Sequence, residues 1–331
     1  MTTYKNIKGI EIKYLSADPP APTVGQVWYN STSKVVKGAI NGLVANGTWA
    51  SGGNLNTNRN KLGGAGASSS DALGFGGSGN SALTEEYDGT SFTEVSDLNI
   101  GRQGVGGLGI VSTSVLAMGG YTSTSSVYTN NESWNGSAWT EVNDLNTARV
   151  LMGTAGNTTA GLIAGGGNWT TSPVERAETE LWNGTSWTEV ADLNTVRRQN
   201  MTFGTQTAAI SASGYNASTA DQSAVESWNG TSWSEIAELN LPRHAGGASG
   251  ISTNGIVFTG AKDSAPTGNK TNTEFWNGTS WTELNDLATA RGNSASSKAT
   301  ATTAVVFGGE PTGPTEEWTV PTFTTKTFDT D

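Results

Sequence analysis

The sequence predicts an all-β repeat fold, and three observations carry that prediction. One fifteen-residue phrase returns almost unchanged: "ESWNGSAWTEVNDLN" at 132–146, "ELWNGTSWTEVADLN" at 180–194, "ESWNGTSWSEIAELN" at 226–240 and "EFWNGTSWTELNDLA" at 274–288, with a looser copy, "EEYDGTSFTEVSDLN", at 85–99. Its turn glycine falls at 89, 136, 184, 230 and 278, at intervals of 47, 48, 46 and 48 residues. A steady period of this length marks a repeat architecture, and four short strands per period make it a ring of propeller blades. The third observation is composition: 44 Gly and 12 Trp among 331 residues, with no ten-residue window holding a helical apolar stripe.

Each repeat divides into four strand-like pieces. In the second copy, 102–112 reads as strand a, 114–121 as strand b, 130–134 as strand c and 138–142 as strand d. Asn135-Gly136 between two β-prone segments is a hairpin signal, because such turns require positive φ. A two-residue turn would set Trp134 opposite Ser137; a four-residue loop would set it opposite Trp139. In either register both indoles share one face of the sheet. There each can bury about 150–250 Å² against the neighbouring blade. The same slot is filled by Trp182 and Trp187, Trp228 and Trp233, and Trp276 and Trp281.

Charge and composition exclude several functions. Lys and Arg number 18 against 29 Asp and Glu, so the formal net charge is 18 − 29 = −11, which disfavours a nucleic-acid partner. There is no cysteine and a single histidine, His244. Thiolate or His-rich metal sites are therefore not expected, and neither a metal nor another cofactor is assigned. No apolar run approaches the ~20 residues of a membrane span or the core of a signal peptide, so no membrane insertion is expected.

The chain resembles the kelch-repeat β-propellers. Their double glycine after an apolar strand stands here at Gly76-Gly77, Gly119-Gly120, Gly165-Gly166 and Gly308-Gly309, with degraded forms at Ser213-Gly214 and Gly260-Ala261. Their arginine before each new blade stands at Arg59, Arg102, Arg149, Arg197, Arg243 and Arg291. The resemblance covers roughly 50–325 and implies a six-bladed kelch-type propeller, with seven blades as the alternative. Trp318 and Phe323 keep the spacing of the Trp pair in the last copy. The early "NGTWASGG" at 46–53 either lends Trp49 to that last blade or starts a partial seventh.

Repetition argues against catalysis. A catalytic site breaks the symmetry of a repeat, whereas a structural role obeys it. The six arginines thus read as structural, bonding carbonyls or acids such as Asp97, Asp144, Asp192, Glu238 or Asp286. The repeated acids Glu86, Glu132, Glu180, Glu226, Glu274 and Glu317 read the same way, and His244 reads as a polar residue in a repeat slot. The sequons at Asn183, Asn229 and Asn277 coincide with the hairpin turn, which accounts for them without glycosylation. No catalytic residue is assigned, and the chain is expected not to be an enzyme.

Variation between copies points to binding instead. The b–c connections 121–131, 167–178, 214–224 and 261–273 share no pattern. In an antiparallel four-stranded blade they emerge at the same end as the d–a connections. One face, rimmed by the arginines, is expected to carry Tyr121, Tyr128, Trp169, Tyr215, Arg176 and Lys262 among small polar residues. That composition suits recognition of a sugar or a protein surface.

Residues 1–25 stand outside the repeat as an anchoring segment with a Pro-rich linker, "ADPPAP" at 17–22, leaving 26–331 for the propeller. Within the segment, "IKGIEIKYL" (7–15) reads as a strand, and 25–38 reads as a hairpin. "GQVWYNSTS" at 25–33 with its Pro-rich lead-in resembles N-terminal segments of virion structural proteins of marine tailed bacteriophages. The resemblance implies a non-enzymatic tail, baseplate or capsid-decoration component, made in the host cytoplasm and residing in the virion. Residues 1–25 would contact other virion proteins, and the loop face would bind host glycan or protein. The alternatives are a propeller-type enzyme acting on cell-surface sugars and a bacterial kelch interaction scaffold.

Overall fold

The computed structural model describes residues 12–19, 25–41, 47–123, 126–171, 174–261, 268–311, 314–321 and 323–328. They form two compact units, Met1–Gly47 with Val320–Asp331, and Thr48–Thr319. The larger unit holds six four-stranded antiparallel sheets. Blade 1 consists of Gly63–Ser68, Asp71–Phe75, Thr84–Tyr87 and Phe92–Val95. Blade 2 consists of Gly106–Val111, Ser114–Met118, Asn131–Trp134 and Trp139–Val142, close to the segments read from the sequence. Blade 3 spans Gly153–Asn157 to Trp187–Val190, blade 4 Met201–Thr205 to Trp233–Ile236, and blade 5 Gly247–Ile251 to Trp281–Glu283.

Blade 6 joins the two ends of the unit. Its strands a to c are Ala295–Ser296, Thr303–Phe307 and Glu316–Thr319, and its outer strand is Thr48–Ser51, paired with Trp318 opposite Trp49. Trp49 thus completes the sixth blade, covering what would be an exposed edge. Phe323 does not complete the last Trp pair, because Phe323–Phe328 is a strand of the other unit.

Closure of the ring is written in the backbone. The amide of Gly104 bonds the carbonyl of Lys61, Leu151 that of Gly104, Gln199 that of Leu151, Ala245 that of Gln199, Asn293 that of Ala245, and Lys61 that of Asn293, all at 2.7–2.9 Å. The six residues share one left-handed conformation, with φ from 53° to 67°. Five of them are not glycine and accept that strain, and among the described residues these bonds run through six sheets and return to the first. The second residue of each double glycine bonds the next blade's arginine carbonyl in the same cyclic way, from Gly77 on Arg102 round to Gly309 on Arg59. In the fifth copy this residue is Gly260, preceded by Thr259 at φ 58°. The degraded pair is therefore Thr259-Gly260 and not Gly260-Ala261.

The tryptophans glue the blades. Trp134 lies opposite Trp139, so the turn is the four-residue form. The rings stand 5.4 Å apart and pack with Leu73 and Phe75 of blade 1. Trp182 and Trp187 meet Leu108 and Leu116 of blade 2, Trp228 and Trp233 meet Leu162 of blade 3, and Trp276 and Trp281 meet Phe203 and Ile210 of blade 4. Each turn is capped by its own asparagine: Asn183 Oδ1 accepts from the amides of Thr185 and Ser186, both at 2.9 Å.

The six arginines are buried and do not rim a face. Arg102 donates from Nη1 to Glu132, and its guanidinium also reaches the carbonyls of Gly119 at 2.7 Å and Ala117 at 3.1 Å. Equivalent pairs join Arg59 to Glu85, Arg149 to Glu180, Arg197 to Glu226, Arg243 to Glu274 and Arg291 to Glu316. Burial pulls the Arg149, Arg197, Arg243 and Arg291 guanidinium groups below their ordinary range, and their Glu partners oppose it. The partner is thus the strand-c glutamate, not the expected acids of the DLN phrase; Asp97, for one, accepts from the Thr84 amide at 3.2 Å. In the first and last copies it is Glu85 and Glu316, one residue before Glu86 and Glu317. On a strand that step reverses the face: Glu86 accepts from Ser112 Oγ, and Glu317 from the Tyr87 hydroxyl.

The repeated asparagine completes the motif. Asn99 donates from its backbone and side chain to Glu132 Oε2 at 2.8 and 2.9 Å, and from Nδ2 to the Trp139 carbonyl at 3.2 Å. The connection leaving one blade is therefore clamped by the next. The Glu, the two Trp and the Asn of the phrase thus each fill a slot in this joint.

The smaller unit is a sheet of Lys13–Leu15, Val27–Asn30, Val35–Asn41 and Phe323–Phe328, in that order. Here the expected boundary at 25/26 moves. The hairpin pairs with the last strand, Val36 opposite Phe328 through Asn41 opposite Phe323, so the propeller is bounded by Thr48 and Thr319. Of the expected 7–15 strand, residues 7–11 lie outside the described residues, as does the second half (20–22) of the Pro-rich linker. Asp18 gathers the unit, accepting from Trp28 Nε1 at 3.0 Å, Asn30 Nδ2 at 2.8 Å and Lys37 Nζ at 2.7 Å.

Candidate aromatic and cationic binding face

The b–c and d–a connections meet at one end of the blades, as the strand count requires. The residue after a blade's arginine bridges to the start of that blade's b–c loop: Gln103 to Tyr121, Val150 to Gly167, Arg198 to Tyr215 and His244 to Ala261. Two loops extend these bridges into small hairpins, Tyr121–Ser123 with Ser126–Val127 and Tyr215–Asn216 with Ala220–Asp221. Backbone pairing thus holds the loop bases, and their side chains project from a rigid frame.

Three of the sequence-predicted residues meet there. Tyr121 and Trp169 stand edge to face at 6.2 Å and 85°. The Arg198 guanidinium lies 4.9 Å from the Trp169 ring centre and 4.5 Å from that of Tyr215. It therefore links the two aromatics by cation–π contact. Glu175 holds Arg198 from the side at 2.5 Å. Beyond Tyr215 the ring of His244 follows at 5.4 Å and 70°, its Nδ1 bonded to Asp221. At the other end, Lys61 Nζ reaches the Tyr121 hydroxyl at 3.4 Å. The result is a row running Lys61, Tyr121, Trp169, Arg198, Tyr215, His244, drawn from blades 1 to 5. Tyr121, Trp169 and Tyr215 are half-buried: backed by structure and still open to a ligand.

The other predicted residues do not join the row. Tyr128 folds back within its own loop, its hydroxyl 3.0 Å from Thr122 Oγ1. Arg176 serves its own loop, donating to Thr171 Oγ1 at 2.7 Å and pairing with Glu178 at 3.3 Å. Lys262 lies outside the described residues. Conversely, Arg198, Lys61 and His244 were not singled out for the face. All three follow a repeat arginine by one or two positions, where the copies read Asn-Lys, Gln-Gly, Val-Leu, Arg-Gln, His-Ala and Gly-Asn. That variability was the available signal.

The row abuts the mouth of the central channel. Gln199, next to Arg198, donates from Nε2 to Asn293 Oδ1 at 2.8 Å across that mouth. A cavity of about 100 Å³ lies beneath, lined chiefly by the glycine-rich inner strands. Among the described residues, no group of three or more His, Asp or Glu side chains is placed to hold a metal ion. The surface offers aromatic planes beside fixed cations and small polar groups.

No family model matches the chain, and no curated protein matches it. Solved structures do: that of YjhT, a kelch-type propeller, superposes with a TM-score of 0.66 at 11% identity, covering 82% of this chain and 99% of that one. Such identity speaks for the fold alone. The ring of sheets and this likeness agree, and the chain is a β-propeller.

Proposed function

We propose that this protein is a non-enzymatic binding component of a phage virion, its propeller adsorbing a hydroxyl-rich glycan through the row from Lys61 to His244. The observation that carries this reading is the placement of Arg198 between Trp169 and Tyr215. Aromatic faces stack on the C–H surface of a sugar ring, and adjacent fixed cations and amides bond its hydroxyls. The surrounding blades are bound to one another by symmetric joints, which frees this one row to vary. The N-terminal segment, with its likeness to virion proteins, supplies the docking role in contact with other virion proteins.

Two experiments test the two halves. Glycan-array binding by the purified protein should show defined ligands, lost by at least tenfold in Arg198→Ala and in Trp169→Ala while Arg176→Ala binds normally. Binding that survives both substitutions would overturn the assigned face. Mass spectrometry of purified particles should detect the protein stoichiometrically, and its absence would overturn the virion role.

A further inference from the structure

Seven residues after each repeat arginine the inner strand carries Gly66, Gly109, Gly156, Gly204 and Gly250 in blades 1 to 5, and Lys298 in blade 6. The five glycines all adopt positive φ, from 94° to 155°. A Cβ at any of them would meet a carbonyl oxygen of the adjoining strand at 2.2–2.6 Å, so glycine is the structural requirement of that slot. Lys298 departs from it. Its strand shortens to Ala295–Ser296, against five or six residues in the other blades. Its backbone is pinned to both neighbours instead, the amide to Gly66 O at 3.0 Å and the carbonyl to the Gly250 amide at 3.1 Å. In blade 6 the strand ends before this level and the left-handed bend of the other five is absent, so a long side chain is admitted there.

That amine faces the channel. Lys298 lines the 100 Å³ cavity under the mouth and a second cavity, of about 220 Å³, toward the a–b turns. No carboxylate lines either cavity among the described residues, and the other titratable lining group is Lys61. Among the described residues, Lys298 Nζ has no hydrogen-bond or ion-pair partner. The side chain is half-buried, and desolvation pulls the amine down to about 8, with no acid to restore the charge. Desolvation without a counter-ion is how an enclosed lysine becomes a nucleophile at neutral pH.

We propose that Lys298 makes the central channel a covalent capture site for short-chain aldehydes. The neutral amine adds its lone pair to the carbonyl carbon; a proton passes from nitrogen to the former carbonyl oxygen, and water leaves from the carbinolamine. The product is a reversible imine, formed with no oxidant, reductant or metal. Cavities of about 100 and 220 Å³ suit small carbonyl compounds, distinct from the glycan of the outer face.

At pH 7 an amine titrating near 8 is about one-tenth neutral, whereas an ordinary lysine is neutral in roughly one molecule in 2,500. The protein is incubated at pH 7 with acetaldehyde and cyanoborohydride, which reduces the imine to a stable N-ethyl group, and each of its ten lysines is followed by peptide mass spectrometry. Lys298 should label at least about tenfold faster than the exposed Lys34. Its rate should rise through pH 8 and level off above it. Lys298→Gly introduces the residue of the other five blades, and glycine accepts the different blade 6 backbone as well; it should remove the fast phase and leave Lys34 unchanged. Labelling of Lys298 at or below the Lys34 rate in the wild-type protein overturns the proposal, as does a fast phase that persists in Lys298→Gly.

Discussion

Cutting one buried Arg–Glu joint tests how the ring is held. Arg102 and Glu132 are both almost wholly buried, with side-chain exposures of 0% and 1%. In Arg102→Met the Glu132 carboxylate keeps the Asn99 donors but loses its cation, and the carbonyls of Gly119, Ala117 and Ile100 lose theirs. In Glu132→Leu the guanidinium is left charged against carbonyls alone, and the Asn99 amide is orphaned. Breaking a buried pair from either side costs about 3–5 kcal/mol. The double variant leaves no buried charge, and only three or four neutral groups need new partners at about 1 kcal/mol each. It should therefore cost about 3–4 kcal/mol in all, not the sum of the singles. The expected coupling is at least about 2 kcal/mol, read from equilibrium urea unfolding followed by Trp fluorescence. Single costs below about 1 kcal/mol, or additivity within about 0.5 kcal/mol, would refute the claim that charge pairing organises the joint.

Three further outcomes follow from local geometry. Gly136→Ala and Gly156→Ala have nearly the same φ, 93° and 94°, but the new Cβ meets nothing nearer than 3.5 Å in the first and Ala160 O at 2.2 Å in the second. Urea unfolding should show about 1 kcal/mol of strain for the first and at least twice that for the second. Trp49→Ala removes the ring contacts to Trp318 at 5.5 Å and Phe258 at 5.0 Å. Since Trp49 is half-buried, the loss should sit at about 2–3 kcal/mol, below a fully buried Trp, and hydrogen exchange should rise first in blade 6. In the smaller unit, hydrogen bonds from Lys37, Asn30 and Trp28 hold the Asp18 carboxyl down at about 2, below its ordinary 3.8. A depressed carboxylate contributes stability above its ordinary value and loses it as pH falls toward 2. Asp18 is about one-third exposed, so the contribution is under about 1 kcal/mol. The Trp28 indole NMR signal should shift between about pH 4 and 2, and the shift should be absent in Asp18→Asn.

What was legible in the sequence was whatever six copies must share. The Trp pairs, the turn asparagines, the structural arginines and the strand lent by Trp49 all follow from repetition and the closing of an edge. Register was harder. Glu85 and Glu316 hide beside Glu86 and Glu317, and a doublet of identical residues gives no sign of which one faces inward. The boundary at Thr48 was obscured because the hairpin before it alternates like a blade strand, while its partner, Phe323–Phe328, lies almost three hundred residues away.

The functional residues called for the opposite reading of the same repeat. Once symmetry assigns a slot its structural residue, a departure in one copy is a cost that needs its own explanation. Searching only the loops for variation finds Tyr121, Trp169 and Tyr215 and misses the residues that share their face. Counting outward from each arginine finds the others: Arg198 at the first step, in the midst of the aromatic row, and Lys298 at the seventh, in a ring of five glycines. These two departures differ in kind. Arg198 replaces residues of no common type, so its slot tolerates change and its meaning comes from its neighbours. Lys298 stands where the backbone elsewhere demands glycine, and blade 6 shortens its inner strand to admit it. Lys298 itself is outside the left-handed region: blade 6 relaxes the backbone at this level and so admits a side chain that the other five blades exclude, and the labelling experiment tests what that amine does.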